Sequence, residues 1–151
     1  MNEQDLQKLV EQISIEFFLI PFKHKATFNL RLKTTGGRYL TKSHNLEFNL
    51  KSYEKFGIEE LIGIIKHELC HYHLHLQGKR YSHGDKEFKE CLKRINGSRF
   101  AKPVCSRKER PYRYRLICTK CNLEYYRKRK INLNIYRCGK CKGQLILEYI
   151  K

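Results

Sequence analysis

Residues 58–76 read IEELIGIIKHELCHYHLHL, and the five residues His67-Glu68-Leu69-Cys70-His71 inside them decide how the rest of the chain is read. Ile58, Leu61, Ile62, Ile65, Leu69 and Tyr72 recur at helical spacing, Glu59 and Glu60 fall in the first turn, where carboxylates suit the helix dipole, and Gly78 supplies a stop. The spacing predicts a helix over 58–76. On it His67 and His71 project from one face, close enough for both imidazoles to bind one tetrahedral zinc. Glu68 sits beside them, placed to take a proton from water and pass it to a leaving amine. In this reading Glu68 is a base and not a ligand. Such a short pattern also arises by chance on polar helix faces; the apolar first half of this helix and the crowd of histidines around it favour the metal site.

A catalytic zinc needs a third protein ligand and an open position. His75 continues the i+4 series but lies ~12 Å along the axis from His67, too far for one straight helix to gather onto one ion. Glu87 or Glu90, on a following helix, would make a site of two histidines and a glutamate. His83 lies beyond the Gly78 turn, where the chain can fold back. Leu74 and Gln77 stand where an extended metzincin motif needs glycine and histidine, which excludes that subclass. Cys70 and Cys91 read as small core residues, and Tyr72, His73, His24 and His44 as packing or surface residues.

Working outward, Leu6, Leu9, Val10, Ile13, Phe17 and Ile20 predict a first amphipathic helix over 3–20, ended by Pro21. Alternation at Ala26, Phe28, Leu30 and Leu32, and again at Leu46, Phe48 and Leu50, predicts strands of a small antiparallel sheet. Asp85 is a candidate cap for a third helix with Phe88, Leu92 and Ile95 inside and Gly97 past its end. The fold class is α+β.

Composition changes near residue 100. The net charge is +1 over residues 1–60, +4 over 61–100 and +12 over 101–151, out of +17 for all 151 residues. The last third holds six of the ten tyrosines and five of the seven cysteines. Asn96-Gly97-Ser98, Pro103 and Pro111 suit a linker, giving domains at 1–100 and 101–151. Short strands are expected at 112–117, 123–128, 133–137 and 144–149.

In the tail, Cys118-x2-Cys121 and Cys138-x2-Cys141 stand 16 residues apart, the spacing of a four-thiolate structural zinc, with Gly139 and Asn122 suited to the turns and Cys105 outside the set. A closed site of that kind does no chemistry, so the tail is a platform. Arg113, Arg115, Tyr126, Arg127, Lys128, Arg129, Lys130 and Arg137 interleave cations with rings, as a nucleic-acid surface does. The plain alternative is a solvated basic face on a ribbon whose tyrosines form its core. No apolar run approaches the ~20 residues of a spanning helix, the N-terminus MNEQDLQ has no signal character, and an odd cysteine count argues against a disulfide framework. A cytoplasmic monomer without membrane attachment is expected.

His67-Glu68-x-x-His71, followed by His83-Gly84-x-x-Glu87-Phe88 and Arg94-Ile95-Asn96, resembles the SprT family, whose eukaryotic relative Spartan degrades proteins crosslinked to DNA. The resemblance implies a zincin-like fold and carries the third-ligand role to His83. SprT-like bacterial proteins also follow this domain with a zinc ribbon, so the likeness covers nearly the whole chain. It implies a zinc peptidase with one catalytic and one structural zinc, acting on proteins bound to DNA or other nucleic acid. The rival reading is a non-catalytic, zinc-stabilised nucleic-acid-binding or regulatory protein.

Overall fold

A computed structural model of the chain describes residues 1–105 and 109–151, which form two compact units, Met1–Cys105 and Ser106–Lys151. In the first unit, helix α1 (Glu3–Ile13) opens on a reciprocal cap between Asn2 and Asp5 and buries Leu6, Val10 and Ile13. The helix expected to run to residue 20 changes register instead: Ser14–Phe18 form a wider π-helical turn, and Leu19 ends it with φ 58°. The reason lies in Ser14, whose fully buried hydroxyl donates to the Ile20 carbonyl at 2.6 Å and lies 2.7 Å from His73 Nε2. A carbonyl only accepts, so the His73 Nε2–H is the donor to Ser14, and the widened turn sets Phe18 against the His73 ring at 4.7 Å.

Three short strands follow, β1 (Ala26–Phe28), β2 (Gly37–Tyr39) and β3 (Leu46–Phe48), in the spatial order β1-β3-β2. The sheet is mixed: β2 runs antiparallel to β3 as expected, but β1 pairs with β3 in parallel, Ala26 opposite Leu46 and Phe28 opposite Phe48. The first strand stops short because Asn29 folds the chain, its side chain accepting from Arg31 N–H and its carbonyl from Leu32 N–H, which leaves Leu30 outside. Leu50, expected in a strand, begins helix α2 (Leu50–Phe56), capped by the Asn49 side chain.

Helix α3 (Ile58–Leu76) is the central element and matches its expected bounds. Leu61, Ile65, Leu69 and Tyr72 are at most 1 % exposed, and the same core takes in α1, the sheet and α4. Gly78 ends α3 at φ 69°, where Lys79 N–H reaches the Leu74 carbonyl and Gly78 N–H that of His75. Helix α4 (Lys86–Arg94) buries Phe88 and Leu92, with Ile95 just past its end. Asp85 stands at its N-cap position, yet its carboxylate accepts from Ser82 N–H and closes the preceding turn. Asn96, not Gly97, takes the left-handed position after this helix.

The second unit is an antiparallel sheet of β4 (Tyr114–Cys118), β5 (Glu124–Arg127) and β6 (Leu145–Tyr149), ordered β5-β4-β6. The stretch 133–137 is a turn and not the expected strand, because the Asn132 side chain and carbonyl collect the N–H groups of Asn134, Ile135 and Tyr136. No described helix is long and apolar enough to cross a membrane.

Candidate metal centres

One turn of α3 separates His67 from His71, and the Gly78 stop together with the Ser82–Asp85 turn brings His83 back over them. The three Nε2 atoms form a triangle with edges of 2.9, 3.0 and 3.3 Å. Glu87 and Glu90, the alternatives for the third position, line a separate cavity with Cys91 and Arg94. The outer nitrogens are held by the backbone: His67 Nδ1–H donates to the Ser98 carbonyl at 2.7 Å and His71 Nδ1–H to the Tyr81 carbonyl at 2.5 Å. Because carbonyls only accept, both Nε2 atoms turn bare lone pairs on one another, a repulsive arrangement that a cation relieves. With Zn–N bonds of about 2.0–2.1 Å, neighbouring nitrogens on a tetrahedral zinc stand about 3.3–3.4 Å apart, so the set fits the ion.

Phe88 underlies all three ligands. Its buried ring stacks on His71 at 4.3 Å and meets His67 and His83 edge-on at 5.1 and 5.3 Å. Burial lowers the pKa of His67 and takes that of His71 down to about 4, keeping both neutral and ready to ligate.

Glu68 is buried, and burial pushes its pKa up to about 8 against the opposing pull of the Tyr39 N–H. It opens onto a cleft of about 550 Å³ whose walls include Gly37, Tyr39, Tyr81 and Phe100 beside the three histidines. Tyr39 is tied down in turn: its phenol oxygen lies 2.6 Å from both His44 Nδ1 and His75 Nδ1. With one phenolic proton between two imidazoles, one histidine accepts it and the other donates. His75 thus holds Tyr39, and His24 bonds the buried Tyr72 hydroxyl at 2.8 Å. The Tyr39 N–H and the two carbonyls are backbone groups of remote segments, so no residue type in the sequence announces them.

In the ribbon Cys118, Cys121, Cys138 and Cys141 bring their sulfurs within 4.8 Å of one another. Cys118 lies 3.4 Å from Cys141 and Cys121 lies 3.6 Å from Cys138, near the about 3.8 Å edge expected for a tetrahedral zinc with bonds of about 2.3 Å. Each Cys-x-x-Cys closes with a left-handed residue, Asn122 and Lys142, so Lys142 does what Gly139 was expected to do. Gly143 is needed for close approach: a Cβ there would stand 3.0 Å from Cys118 Sγ and 3.2 Å from Cys141 Sγ. The Tyr125 hydroxyl lies 3.3 Å from Cys138 Sγ and accepts from Gly139 N–H.

The cationic residues do not share one surface. Arg115 and Tyr126 are cross-strand partners on one face, where Glu148 and Glu124 pair with Arg115 at 2.6 and 3.6 Å. Arg127 lies opposite Tyr114, on the alternate face. At this end of the sheet Arg113 N–H bonds the Arg127 carbonyl, Lys128 lies over the Tyr112 ring, and Tyr112 packs on Tyr126 at 6.0 Å. Arg129 and Lys130 follow, exposed, while the Arg137 guanidinium donates to the Leu133 and Tyr136 carbonyls.

Two family descriptions match successive parts of the chain. Residues 6–110 match the SprT-like family and residues 112–148 the SprT-like zinc ribbon domain. The chain belongs to the SprT-like family. Among its relatives, "Protein SprT-like" of Bacillus cereus is 54% identical over 145 residues, covering 96% of this chain and 95% of that protein. "Protein SprT-like" of Geobacillus sp. (strain WCH70) is 51% identical over 150 residues, 98% of this chain and 97% of its own. Among solved structures, the metallopeptidase zymogen of Pyrococcus abyssi abylysin aligns with a TM-score of 0.48 at 19% identity, over 64% of this SprT-like chain and 84% of its own. This member is therefore a SprT-type zinc metalloprotein with a C-terminal zinc ribbon.

Proposed function

We propose that the chain is a zinc metallopeptidase acting on proteins associated with nucleic acid, in which His67, His71 and His83 hold the catalytic ion and Glu68 is the general base. One observation carries this reading: three imidazole Nε2 atoms, those of His67 and His71 bare, converge beside a buried carboxylate in an open cleft. When bound, zinc supplies a positive centre that polarises a carbonyl, acidifies a water and draws Glu68 back to its ionised form. Glu68 then takes a proton from the water that adds to the peptide carbonyl carbon, and delivers it to the amide nitrogen as the C–N bond breaks. The Tyr39 N–H holds that carboxylate in place. Among the described residues strand β2 pairs with β3 alone and lines the cleft, so its outer edge offers an extended substrate segment a strand to add to.

The second, structural zinc belongs to Cys118, Cys121, Cys138 and Cys141, and a ribbon with so small a core folds around it. The ribbon docks on DNA or RNA through the end that groups Arg113, Tyr126, Arg127, Lys128, Arg129 and Lys130, raising the local concentration of bound protein substrates. Arg115, neutralised by two carboxylates, contributes little to this contact. Thiolate ligation needs reduced cysteines, which supports a cytoplasmic location, where the protein acts as a monomer.

The test is cleavage of a DNA-binding protein by the zinc-loaded chain, with and without DNA, compared with His83→Ala. DNA-stimulated cleavage that disappears together with one of two bound zincs supports the reading. Equal zinc content and no cleavage by the unmodified chain would favour the non-catalytic rival.

A further inference from the structure

Gly63 stands within α3, one turn before His67 and on the same face. A glycine inside a helix costs roughly 1 kcal/mol against alanine, so the position asks for a reason. That reason lies against it. Beyond α4 the chain returns to α3, where Ser98 bonds two successive turns of the helix: its N–H donates to the Gly63 carbonyl at 3.3 Å, and its carbonyl accepts from His67 Nδ1–H at 2.7 Å. A Cβ on Gly63 would overlap Ser98 Oγ and stand 3.1 Å from Ser98 Cβ, with Ser98 N next at 3.8 Å. The hydroxyl could turn aside, but the Cβ contact opens only if the Ser98 backbone lifts, and the carbonyl on His67 lifts with it. The segment has little slack on either side of Ser98. A Cβ on Gly97 would meet Leu92 Cδ1 at 2.6 Å and Lys66 Cβ at 3.2 Å, and Ala101 Cβ lies 2.7 Å from where a Cβ on Gly36 would be.

We propose that Gly63 is a positioning residue for the histidine metal site: having no side chain, it lets Ser98 sit low enough on α3 for the Ser98 carbonyl to orient His67 towards His71 and His83. The bond from His67 Nδ1–H fixes the tautomer and the ring direction, which leaves Nε2 as the ligand atom. Partners of this kind are worth about 10–100-fold in metal affinity, and one that is displaced rather than deleted should cost the lower figure. Ser98, Arg99, Phe100 and Ala101 also line the cleft, so the height of this segment above α3 sets a ligand and a cleft wall together. The inference rests on zinc binding by the three histidines and not on peptidase activity.

The experiment makes Gly63→Ala in two backgrounds of the full-length chain, the unmodified protein and Ser98→Gly. Zinc affinity of the histidine site is read by chelator competition, with the ribbon zinc as internal control and circular dichroism as the check on folding. In the unmodified background the change should weaken the histidine site about tenfold, although alanine favours the helix. In the Ser98→Gly background only the Ser98 N remains near, at 3.8 Å, and the same change should cost less than about twofold. A loss confined to the first background is the signature of this contact, because a general disturbance of α3 would appear in both. Unchanged affinity in the unmodified background, or an equal loss in both, overturns the proposal. If Gly63→Ala alone does not fold, the double variant decides: zinc held as tightly as in Ser98→Gly supports the proposal, and a loss of about tenfold overturns it. An unmodified chain that holds only the ribbon zinc overturns it together with the metal reading beneath it.

Discussion

Phe88→Leu isolates what the shared ring does for the metal site. Leucine keeps the position apolar and nearly filled, so the fold should lose only about 1 kcal/mol, the usual scale for a swap of similar volume. What it removes is the ring that meets His67, His71 and His83 at 5.1, 4.3 and 5.3 Å. Aromatic pairs of this kind contribute about 0.5–1.5 kcal/mol each, and three pairs that share one ring do not add fully. A total of about 2 kcal/mol corresponds to a loss of zinc affinity of roughly 30-fold. The assay is chelator competition on the full chain, where zinc release should have two phases. The ribbon zinc, held by thiolates, serves as the control in the same tube. If the histidine site keeps its affinity within about twofold while the fold is weakened, the imidazoles are positioned by their backbone carbonyls alone and the reasoning fails.

Burial takes the pKa of His73 down to about 4, below the 6.5 of an unfolded histidine, so this residue stabilises the fold fully above about pH 6.5 and progressively less as pH falls towards 4. His71, taken down to about 4, titrates in the same sense, whereas Glu68, raised to about 8, loses stabilisation between pH 4.5 and 8, so urea unfolding of the metal-free chain should show stability rising between pH 4 and 6.5 and falling from there to 8. Metal-free Glu68→Gln should gain more over pH 4 to 6.5 and no longer lose stability from 6.5 to 8, and a flat profile in that variant would contradict the buried neutral His71 and His73. Gly143→Ala forces a methyl against two ligand sulfurs and should weaken the ribbon by about 1–3 kcal/mol, read as faster release of the thiolate-bound zinc. Neutral replacement of Arg127, Lys128, Arg129 and Lys130 should flatten the salt dependence of DNA binding, by about 0.7–0.9 in slope for each phosphate that is no longer neutralised, whereas Arg115→Gln should leave it nearly unchanged. Equal effects of the two would reject the cluster as the DNA surface.

The sequence carries the metal centres far better than it carries their supports. Helix α3 was legible because its apolar spacing, acidic first turn and glycine stop agree, and the ribbon cysteines because metal geometry dictates their spacing. Spacing alone set His75 aside but left His83, Glu87 and Glu90 open as the third ligand, since a turn decides which of them returns to the helix. The strands were harder: at three residues each, β1, β2 and β3 are too short for alternation to stand out, and Asn29 and Asn49 redirect the chain through side-chain bonds to the backbone. Ser14 shows the same limit, since its partner His73 is 59 residues away. The Ser98 and Tyr81 carbonyls and the Tyr39 N–H that orient His67, His71 and Glu68 are peptide groups, invisible to any reading of residue types.

The central claim rests on one carboxylate. Glu68→Gln keeps the shape and the hydrogen-bond reach of the side chain but cannot accept a proton. With zinc content matched to the unmodified protein, cleavage of a DNA-bound protein should disappear while metal and DNA binding persist. Cleavage at an undiminished rate would contradict the account.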